Sequence, residues 1–227
     1  MKENILIIIP AYNEAAHLKQ TLDNIKAVCN FDLLVVNDGS SDATEAIAKH
    51  AGVKVLNHKI NLGVGAATKT GFCYAEKHKY KYVITMDADG QHDAADIDLL
   101  VNAMDQYPSD IIIGSRFMSR ENEIPKSRIF FNGIANLLTA FFAMQWFSDS
   151  QSGIKILSSR VANKLDLKIH SFGFCSEILI KASKMNFSVK EIPVKVHYTK
   201  STMEKGQNMF EGIRTAIHLF QDFISHS

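Results

Sequence analysis

The chain has 227 residues, of which 46% are hydrophobic, so it is long enough to bury a substantial core as one domain. Its 25 basic residues nearly cancel its 24 acidic residues, which argues against a nucleic-acid partner held by bulk charge. Cys29, Cys73 and Cys175 are too far apart for a Cys-x-x-Cys metal site and suit free thiols in a reducing compartment. The first apolar run is too short for a signal segment, so we expect a cytoplasmic protein.

The first half of the chain alternates apolar strands with helical patterns. Apolar, β-branched runs predict strands at residues 5–9, 33–36, 53–56, 80–86 and 111–113, and polar residues follow each of them. Helical spacing follows the first four strands, with Asn13 and Asp93 as candidate N-caps. This alternation predicts an α/β fold with an open, mostly parallel sheet and helices on both faces. Ligands of such sheets bind at the carboxyl ends of the strands.

An acidic motif, Asp-Ala-Asp-Gly-Gln-His at residues 87–92, follows the fourth predicted strand. Side chains two residues apart on an extended segment point the same way, so Asp87 and Asp89 are placed to face one hard cation, or a cation and a ribose. Mg²⁺ or Mn²⁺ bridging a diphosphate fits such a pair. The alternative is structural, with one aspartate closing a turn and the other solvated.

The segment at residues 129–147 is nearly apolar and about as long as a membrane span. Asn132, Asn136 and Thr139 recur in it at helical spacing, which predicts a polar stripe opposite a face of Phe, Leu and Ile. Three interpretations stay open: a core helix, a helix lying in the membrane interface, and a spanning helix, which the asparagines disfavour. Basic residues precede the segment and suit either solvent or anionic head groups: Arg116, Arg120, Lys126 and Arg128.

The rest of the second half is less regular. Residues 149–155 lead into a short strand, and a helix carrying Glu177 follows residues 172–174. The run at 189–196 predicts a last strand, and Pro193 indicates that it lies at a sheet edge. A polar segment at 198–208 and an amphipathic helical pattern at 210–224 come after it.

Five motifs in this order resemble those of the inverting family-2 glycosyltransferases, most closely the dolichol-phosphate mannosyltransferase-like, polyprenyl-phosphate group. They are Ile-Pro-Ala-Tyr-Asn-Glu at 9–14, Val-Asn-Asp-Gly-Ser-Ser-Asp at 36–42, Asn-x-Gly-x-Gly at 61–65, Asp-Ala-Asp-Gly-Gln-His at 87–92 and Gly-Ser-Arg at 114–116. The Asp-x-x-Ser-Gly-x-Lys run at 149–155 and the Glu177 helix also have family counterparts. The chain departs from the family at Asn37, where many relatives have Asp, and at Ile154, which replaces an aromatic residue.

The resemblance implies a GT-A type nucleotide-diphospho-sugar transferase fold in one domain over residues 1–227. Residues 1–116 would form the nucleotide-sugar-binding half. Residues 117–227 would form the acceptor half, with a candidate membrane-interface helix at 128–147. Among the matched positions, the resemblance implies candidate catalytic residues at Asp89, Arg116 and Asp149.

Further roles come from the same matched positions. The resemblance implies that the base and ribose are held by Pro10, Tyr12, Glu14 and Asp38. It implies that Mg²⁺ or Mn²⁺ is held by Asp87, Asp89 and Gln91, and that Asp87 and Ala88 lie beside the diphosphate. It implies phosphate contacts by Arg116 and Arg128, and a mobile loop that closes over the site with Lys200 or Lys205.

We therefore expect a metal-dependent enzyme that transfers a hexose, with inversion, from GDP-mannose or a UDP-sugar to a polyprenyl or dolichyl phosphate at the inner membrane face. A lipid phosphate is ionised at neutral pH and needs no strong base, whereas a hydroxyl acceptor does. The alternative enzyme uses a saccharide or protein hydroxyl, with Asp149 or Glu177 as the base, although each also fits a structural hydrogen-bonding role. A third hypothesis is a non-catalytic nucleotide-sugar-binding subunit of a membrane complex, and either a membrane-anchoring subunit or a homo-oligomer would supply the partner.

Overall fold

The computed structural model of the chain describes residues 4–169 and 173–196. Its strands are β1 (Ile5–Ala11), β2 (Asp32–Asn37), β3 (Lys54–Asn57), β4 (Tyr82–Thr85), β5 (Ile111–Ser115), β6 (Lys155–Ser158) and β7 (Val189–Pro193). Its helices are α1 (Leu18–Val28), α2 (Thr44–His50), α3 (Val64–Lys77), α4 (Asp96–Gln106), α5 (Lys126–Ala143), α6 (Ser159–Lys164) and α7 (Phe174–Lys184). The strands predicted from the first half of the sequence are all present, with small shifts at their ends.

The strands form one seven-stranded sheet in the order β3-β2-β1-β4-β6-β5-β7. β1 is parallel to β2 and β4, and the pairs β2–β3 and β5–β7 are parallel as well. β6 is antiparallel to both of its neighbours, β4 and β5. The predicted open, mostly parallel sheet is confirmed. The reversed direction of β6 was not predicted, because its short sequence carries no sign of which strands it joins.

The core lies on both faces of the sheet, and the alternation of side chains along β1 shows why. Leu6 and Ile8 point into one apolar cluster, with side chains of α3, α5, α6 and α7. Ile7 and Ile9 point into the other, with side chains of α1 and α4. Burying each such side chain contributes roughly 2 kcal/mol, so an uninterrupted apolar strand is stable only when both of its faces are covered.

The two candidate N-caps lie before the N-cap positions of their helices, which are His17 for α1 and Ala95 for α4. The Asn13 side chain accepts a hydrogen bond from the backbone N–H of Ser41 at 2.9 Å and so ties the loop after β1 to the loop after β2. The Asp93 side chain accepts from the N–H of Ala95 at 2.9 Å, within the turn that precedes α4. Asx side chains form such local turns as readily as they cap helices, and the sequence pattern is the same for both.

Helix α5 is amphipathic, but its orientation is the reverse of the usual one: its polar stripe faces the protein and its apolar stripe faces outward. Asn132, Asn136 and Thr139 are buried. The outward stripe, called here the outer face of α5, consists of Phe130, Ile134, Leu137, Phe141 and Met144, all exposed. A helix held only by core packing would show the opposite pattern. Across residues 4–169 and 173–196, no helix has the length and apolarity needed to cross a membrane.

Strand β7 lies at the edge of the sheet, as Pro193 indicated. The strand ends at Pro193, earlier than predicted, and Val196 then forms an isolated antiparallel bridge with His92. The expected polar segment at 198–208, with Lys200 and Lys205, and the expected helix at 210–224 lie outside the described residues.

Candidate active site

Polar loops meet at the carboxyl ends of β1, β2 and β4, because these strands are parallel and adjacent. The N–H of Asp38 donates to the carbonyl of Ala11 at 2.8 Å, and the Thr21 hydroxyl donates to the carbonyl of Ala88 at 3.0 Å. β6 runs the other way, so the segment that precedes it reaches the same edge. The loops at 12–14, 38–42, 87–92 and 149–154, called here the donor edge, are thus brought together as the sequence predicted for the first three.

The proposed metal ligands Asp87, Asp89 and Gln91 lie in one turn of this edge. The Asp87 side chain is 42% exposed. One oxygen of the Asp89 carboxylate accepts from the backbone N–H of Gln91 at 3.0 Å, and the other accepts from the Gln91 side-chain amide. This contact fixes the Asp89 carboxylate and the Gln91 side chain relative to each other.

The charge balance of this turn fits a divalent cation. Desolvation raises the pKa of Asp87 to about 6, and the neighbouring Asp89 carboxylate adds to the effect, while Lys155 and Arg116 oppose it. No group of three His, Cys, Asp or Glu side chains within residues 4–169 and 173–196 is arranged to hold a metal ion. The donor set is therefore two carboxylates and an amide. Such an incomplete oxygen set suits Mg²⁺ or Mn²⁺, whose coordination a diphosphate and water would complete.

Gly153 supports Asp87 from the side of β6. A Cβ atom at this position would lie 1.9 Å from Oδ2 of Asp87, so only glycine allows the two segments to approach this closely. The Thr85 hydroxyl donates to the carbonyl of Gly153 at 2.9 Å, and the fully buried Lys155 ammonium donates to the carbonyl of Ser152. The sequence analysis identified the Ser-Gly-x-Lys run at 152–155 as a motif but predicted no role for Gly153. Its contact with Asp87 depends on the reversed direction of β6, which was not predicted.

Arg116 and Asp149 form a buried, bidentate ion pair. The Arg116 guanidinium donates from Nε to Oδ2 and from Nη2 to Oδ1, both at 2.7 Å, and the Arg116 backbone N–H donates to Oδ2 at 2.9 Å. Arg116 is 7% exposed and Asp149 is fully buried. With both oxygens committed to Arg116, Asp149 is placed to orient the guanidinium and is not placed as a free general base.

Glu177 also lies in a structural setting. Its buried carboxylate accepts from the backbone N–H groups of Lys168 at 2.8 Å and Ile169 at 2.9 Å, and it pairs with Lys181 at 2.7 Å. These contacts fit the structural alternative that the sequence left open for Glu177, and they leave it poorly placed to remove a proton from an acceptor.

Asp38, which the resemblance assigns to the base and ribose, makes several contacts within the protein. It is 2% exposed, and its oxygens accept from the N–H groups of Leu62 at 3.0 Å and Gly63 at 2.7 Å. His58 Nδ1 lies 2.6 Å from Oδ1 of Asp38, and its Nε2 lies 2.9 Å from the Thr70 hydroxyl. Asp38 therefore organises the loop before α3, and both of its carboxylate oxygens are engaged by protein groups. His58 was missed because a lone histidine carries no motif.

The other residues expected around the base lie on the first loop. Tyr12 is 46% exposed directly after β1, and Pro10 is half-buried within β1. Glu14 is half-buried, and its backbone N–H donates to the Thr44 hydroxyl at 2.8 Å. The buried Asn37 side chain donates to Asn57 at 2.9 Å, an internal contact. Tyr12 is thus the member of this group with an accessible ring.

Arg128 lies in the first turn of α5 and is half-buried. The His92–Val196 bridge places Val196, the last described residue, beside the motif at 87–92. Burial lowers the pKa of His92 to about 3, and the Arg116 charge adds to the effect, so this histidine is neutral at physiological pH. Its Nε2 lies 3.9 Å from Oδ2 of Asp87.

Comparisons with known proteins agree with this geometry. The chain is 29% identical over 231 residues to the UDP-N-acetylglucosamine–dolichyl-phosphate N-acetylglucosaminyltransferase of Methanococcus voltae, covering 92% of each chain. It is 31% identical over 204 residues to the polyprenol monophosphomannose synthase of Mycolicibacterium smegmatis, covering 85% of this chain and 77% of that one.

A solved structure shares the fold. Glucosyl-3-phosphoglycerate synthase from Mycobacterium tuberculosis, crystallised with Mn²⁺, uridine diphosphate and glucosyl-3-phosphoglycerate, superposes with a TM-score of 0.75 at 16% identity, covering 98% of this chain and 79% of that one. The fold is therefore of the GT-A type. The model of the family described as Glycosyl transferase family 2 matches residues 6–165. The chain is a glycosyltransferase and belongs to glycosyl transferase family 2.

Proposed function

We propose that the protein transfers a hexose, with inversion, from a nucleoside-diphosphate sugar to a polyprenyl phosphate, with Mg²⁺ or Mn²⁺ as the cofactor. The proposal rests mainly on one observation: a set of metal-binding oxygens and a buried arginine lie at the same edge of the sheet. An oxygen donor set at Asp87, Asp89 and Gln91 lies on the same edge as a buried arginine held by Asp149. Each can stabilise the charge of a departing diphosphate.

The donor edge divides this work among named groups. Asp87, Asp89 and Gln91 would hold the cation, which supplies Lewis-acid stabilisation of the leaving diphosphate. Arg116 would face the same diphosphate with a guanidinium whose orientation is fixed before the substrate binds. Tyr12 would offer its exposed ring to the base. The solved relative contains Mn²⁺ and uridine diphosphate, which supports a divalent ion and a nucleoside diphosphate here.

The setting of the carboxylates favours a phosphate acceptor over a hydroxyl acceptor. A hydroxyl must lose a proton as it attacks, and the bases considered from the sequence were Asp149 and Glu177. Both are buried and engaged with protein donors. A lipid phosphate is already anionic and needs no base. The names of the Methanococcus and Mycolicibacterium relatives, which include dolichyl phosphate and polyprenol, support the same acceptor class.

The outer face of α5 supports a site of action at a lipid surface. Phe130, Leu137 and Phe141 are each more than half exposed, and Trp146 follows the helix with 64% exposure. The first turn of the helix carries Lys126 and Arg128, which complement anionic head groups. An apolar stripe with basic residues at one end is typical of a helix lying in the membrane interface. We place the protein as a peripheral protein on the cytoplasmic membrane surface.

A transfer assay tests the proposed function. The protein is incubated with radiolabelled GDP-mannose, UDP-glucose or UDP-N-acetylglucosamine, a polyprenyl phosphate in vesicles, and Mn²⁺ or Mg²⁺. We expect a labelled lipid product that requires the metal, and we expect Asp89→Asn to lower turnover by at least about a hundredfold. A different result would favour the hydroxyl-acceptor enzyme. In that case no labelled lipid forms, a labelled product forms when a saccharide is supplied, and Asp149→Asn or Glu177→Gln abolishes its formation.

A further inference from the structure

Glu191 on the edge strand β7 makes contacts unusual for its position. Glutamates on edge strands are ordinarily solvated. Here one carboxylate oxygen accepts from the N–H groups of Ser148 and Asp149, both at 3.0 Å, and from the Ser148 hydroxyl at 2.9 Å. The other oxygen accepts from the Ser148 N–H at 2.9 Å. The carboxylate is thus committed to two successive backbone N–H groups of another segment.

These contacts lead directly to Arg116. Glu191 holds the backbone of Asp149, and the Asp149 carboxylate holds the Arg116 guanidinium and backbone N–H. A second route runs through the Ser148 hydroxyl, which lies 2.6 Å from the hydroxyl of Ser115, the residue before Arg116. Glu191 is therefore linked to the arginine by two short hydrogen-bonded paths.

The same segment is also held by α5. The buried Asn136 side chain donates to the carbonyl of Ser148 at 2.7 Å and accepts from the N–H of Ser150 at 2.9 Å. With both Asn136 and Glu191 bonded to them, the residues at 148–150 have little freedom to move. Glu191 makes the charged contact of the two, and hydrogen bonds to a charged acceptor are roughly twice as strong as neutral ones.

We propose that Glu191 is a positioning residue for Arg116, acting through the backbone at Ser148 and Asp149. The inference rests on the proposed function, in which Arg116 faces the leaving diphosphate. Groups that stabilise a transition state must be held within about 0.5 Å of their working position by the residues behind them. Replacing Glu191 by Gln keeps the shape but removes the charge and one acceptor oxygen, so Asp149 and Arg116 lose part of their support.

A kinetic double-mutant cycle separates positioning from general stability. We expect Glu191→Gln to lower kcat by about tenfold with little change in KM for the nucleotide sugar, because Arg116 acts mainly on charge that develops in the transition state. In an Asp149→Asn background, the same substitution is expected to have a clearly smaller effect on kcat than in the unmodified protein, because only the path through Ser148 and Ser115 then remains. Unchanged kcat in Glu191→Gln, or fully additive effects in the double variant, would overturn the proposal.

A second measurement needs no turnover and works even if Asp149→Asn fails to fold. In protein labelled with ¹⁵N-arginine, the Nε–H signal of Arg116 is identified by its loss in Arg116→Lys. We expect this hydrogen to exchange with solvent about tenfold faster in Glu191→Gln than in the unmodified protein. Glu177→Gln is the matched control, because Glu177 also accepts from two successive backbone N–H groups, and it should leave the Arg116 signal unchanged.

The outcomes keep the two proposals apart. Unchanged exchange at Arg116 in Glu191→Gln refutes the positioning role whether or not the protein transfers sugar. Faster exchange in both the Glu191 and Glu177 variants also refutes it, since the effect would then be a general loss of stability. Absence of transfer by the unmodified protein, with faster exchange confined to Glu191→Gln, refutes the proposed function and leaves the structural link intact.

Discussion

The donor edge and the outer face of α5 are built on opposite principles. At the donor edge, side chains such as Asp38, Arg116 and Asp149 are buried and fixed by several hydrogen bonds each. On the outer face of α5, apolar side chains stand in solvent, up to 90% exposed at Met144. The proposed chemistry on a diphosphate requires fixed geometry, whereas the proposed attachment to a lipid surface requires only apolar area and charge. Single small changes should therefore disable the donor edge, and only combined changes should disable the outer face.

Among the changes that test this comparison of the two regions, the largest effect is expected from adding one methyl group at the donor edge. Gly153→Ala places a Cβ where the Asp87 carboxylate now lies, so the carboxylate must move away. We expect Mn²⁺ affinity in the presence of a nucleoside diphosphate, measured by titration calorimetry, to fall by roughly ten- to a hundredfold. Turnover at a fixed metal concentration should fall with it.

Gly133→Ala is the matched control for Gly153→Ala, because it adds the same methyl group at another glycine. It lies in α5, where an added Cβ meets nothing within 4 Å, and alanine is the better helix former. We expect unchanged metal affinity and equal or higher thermal stability. Equal metal affinity in Gly153→Ala and Gly133→Ala would show that Asp87 is not a metal ligand.

The outer face should respond only to cumulative change. In the triple variant Phe130→Ser, Leu137→Ser and Phe141→Ser, the apolar area available to lipid is much reduced. We expect binding to phosphatidylglycerol-containing vesicles without polyprenyl phosphate, measured by flotation, to weaken by about tenfold or more. Each single substitution should weaken it only slightly.

Leu99→Ser tests whether the loss of any exposed apolar side chain weakens vesicle binding. Leu99 is 49% exposed on α4, away from the outer face of α5, and its replacement should leave vesicle binding unchanged. A protein that elutes as a dimer, and becomes a monomer only in the triple variant, would show that the outer face joins two copies and does not meet lipid.

The smallest effect is expected on the free energy of unfolding, which the negative charge of the Asp87 carboxylate lowers when no metal ion is bound. The folded pKa of Asp87 is about 6 and its ordinary value is 3.8, so between these values the unfolded chain has lost a proton that the folded protein keeps. Stability of the metal-free protein therefore falls as the pH rises through this window. We expect Asp87→Asn to raise the free energy of unfolding at pH 7 by about 1 kcal/mol, after discounting for solvent screening, with the gain fading near pH 4.

Thermal unfolding in EDTA at several pH values measures this gain. Asp23→Asn serves as the control, because Asp23 forms an exposed pair with Lys19 and should give no such stabilisation. An Asp87→Asn variant that is no more stable than the unmodified protein at pH 7 would contradict the charge balance described for the motif at 87–92.

The sequence predicted those features of the site that depend on local pattern. Apolar runs followed by acids located the strands and the motif at 87–92, since strand ends and turn residues are neighbours in the chain. Partnerships between distant residues were not predictable. Asp38 with His58, Arg116 with Asp149 and Gly153 with Asp87 all depend on strand order and direction. The sequence left three interpretations of α5 open: a core helix, an interface helix and a spanning helix. Only the burial of its side chains showed that the apolar stripe faces outward.

The reversed strand β6 also has a consequence for the order in which the molecule is made. The loops after β1, β2 and β4, to which the proposed function assigns the nucleotide sugar, leave the ribosome first. The glycine beside Asp87 and the partner of Arg116 are synthesised only with the segment before β6. Contacts between residues so distant in sequence form late and slowly. A nascent chain that ends before β6 would therefore carry the motifs at 9–14, 36–42 and 87–92 without the contacts that hold Asp87 and Arg116. Strand β7 would still have to dock before Glu191 could bond to the backbone of Ser148 and Asp149.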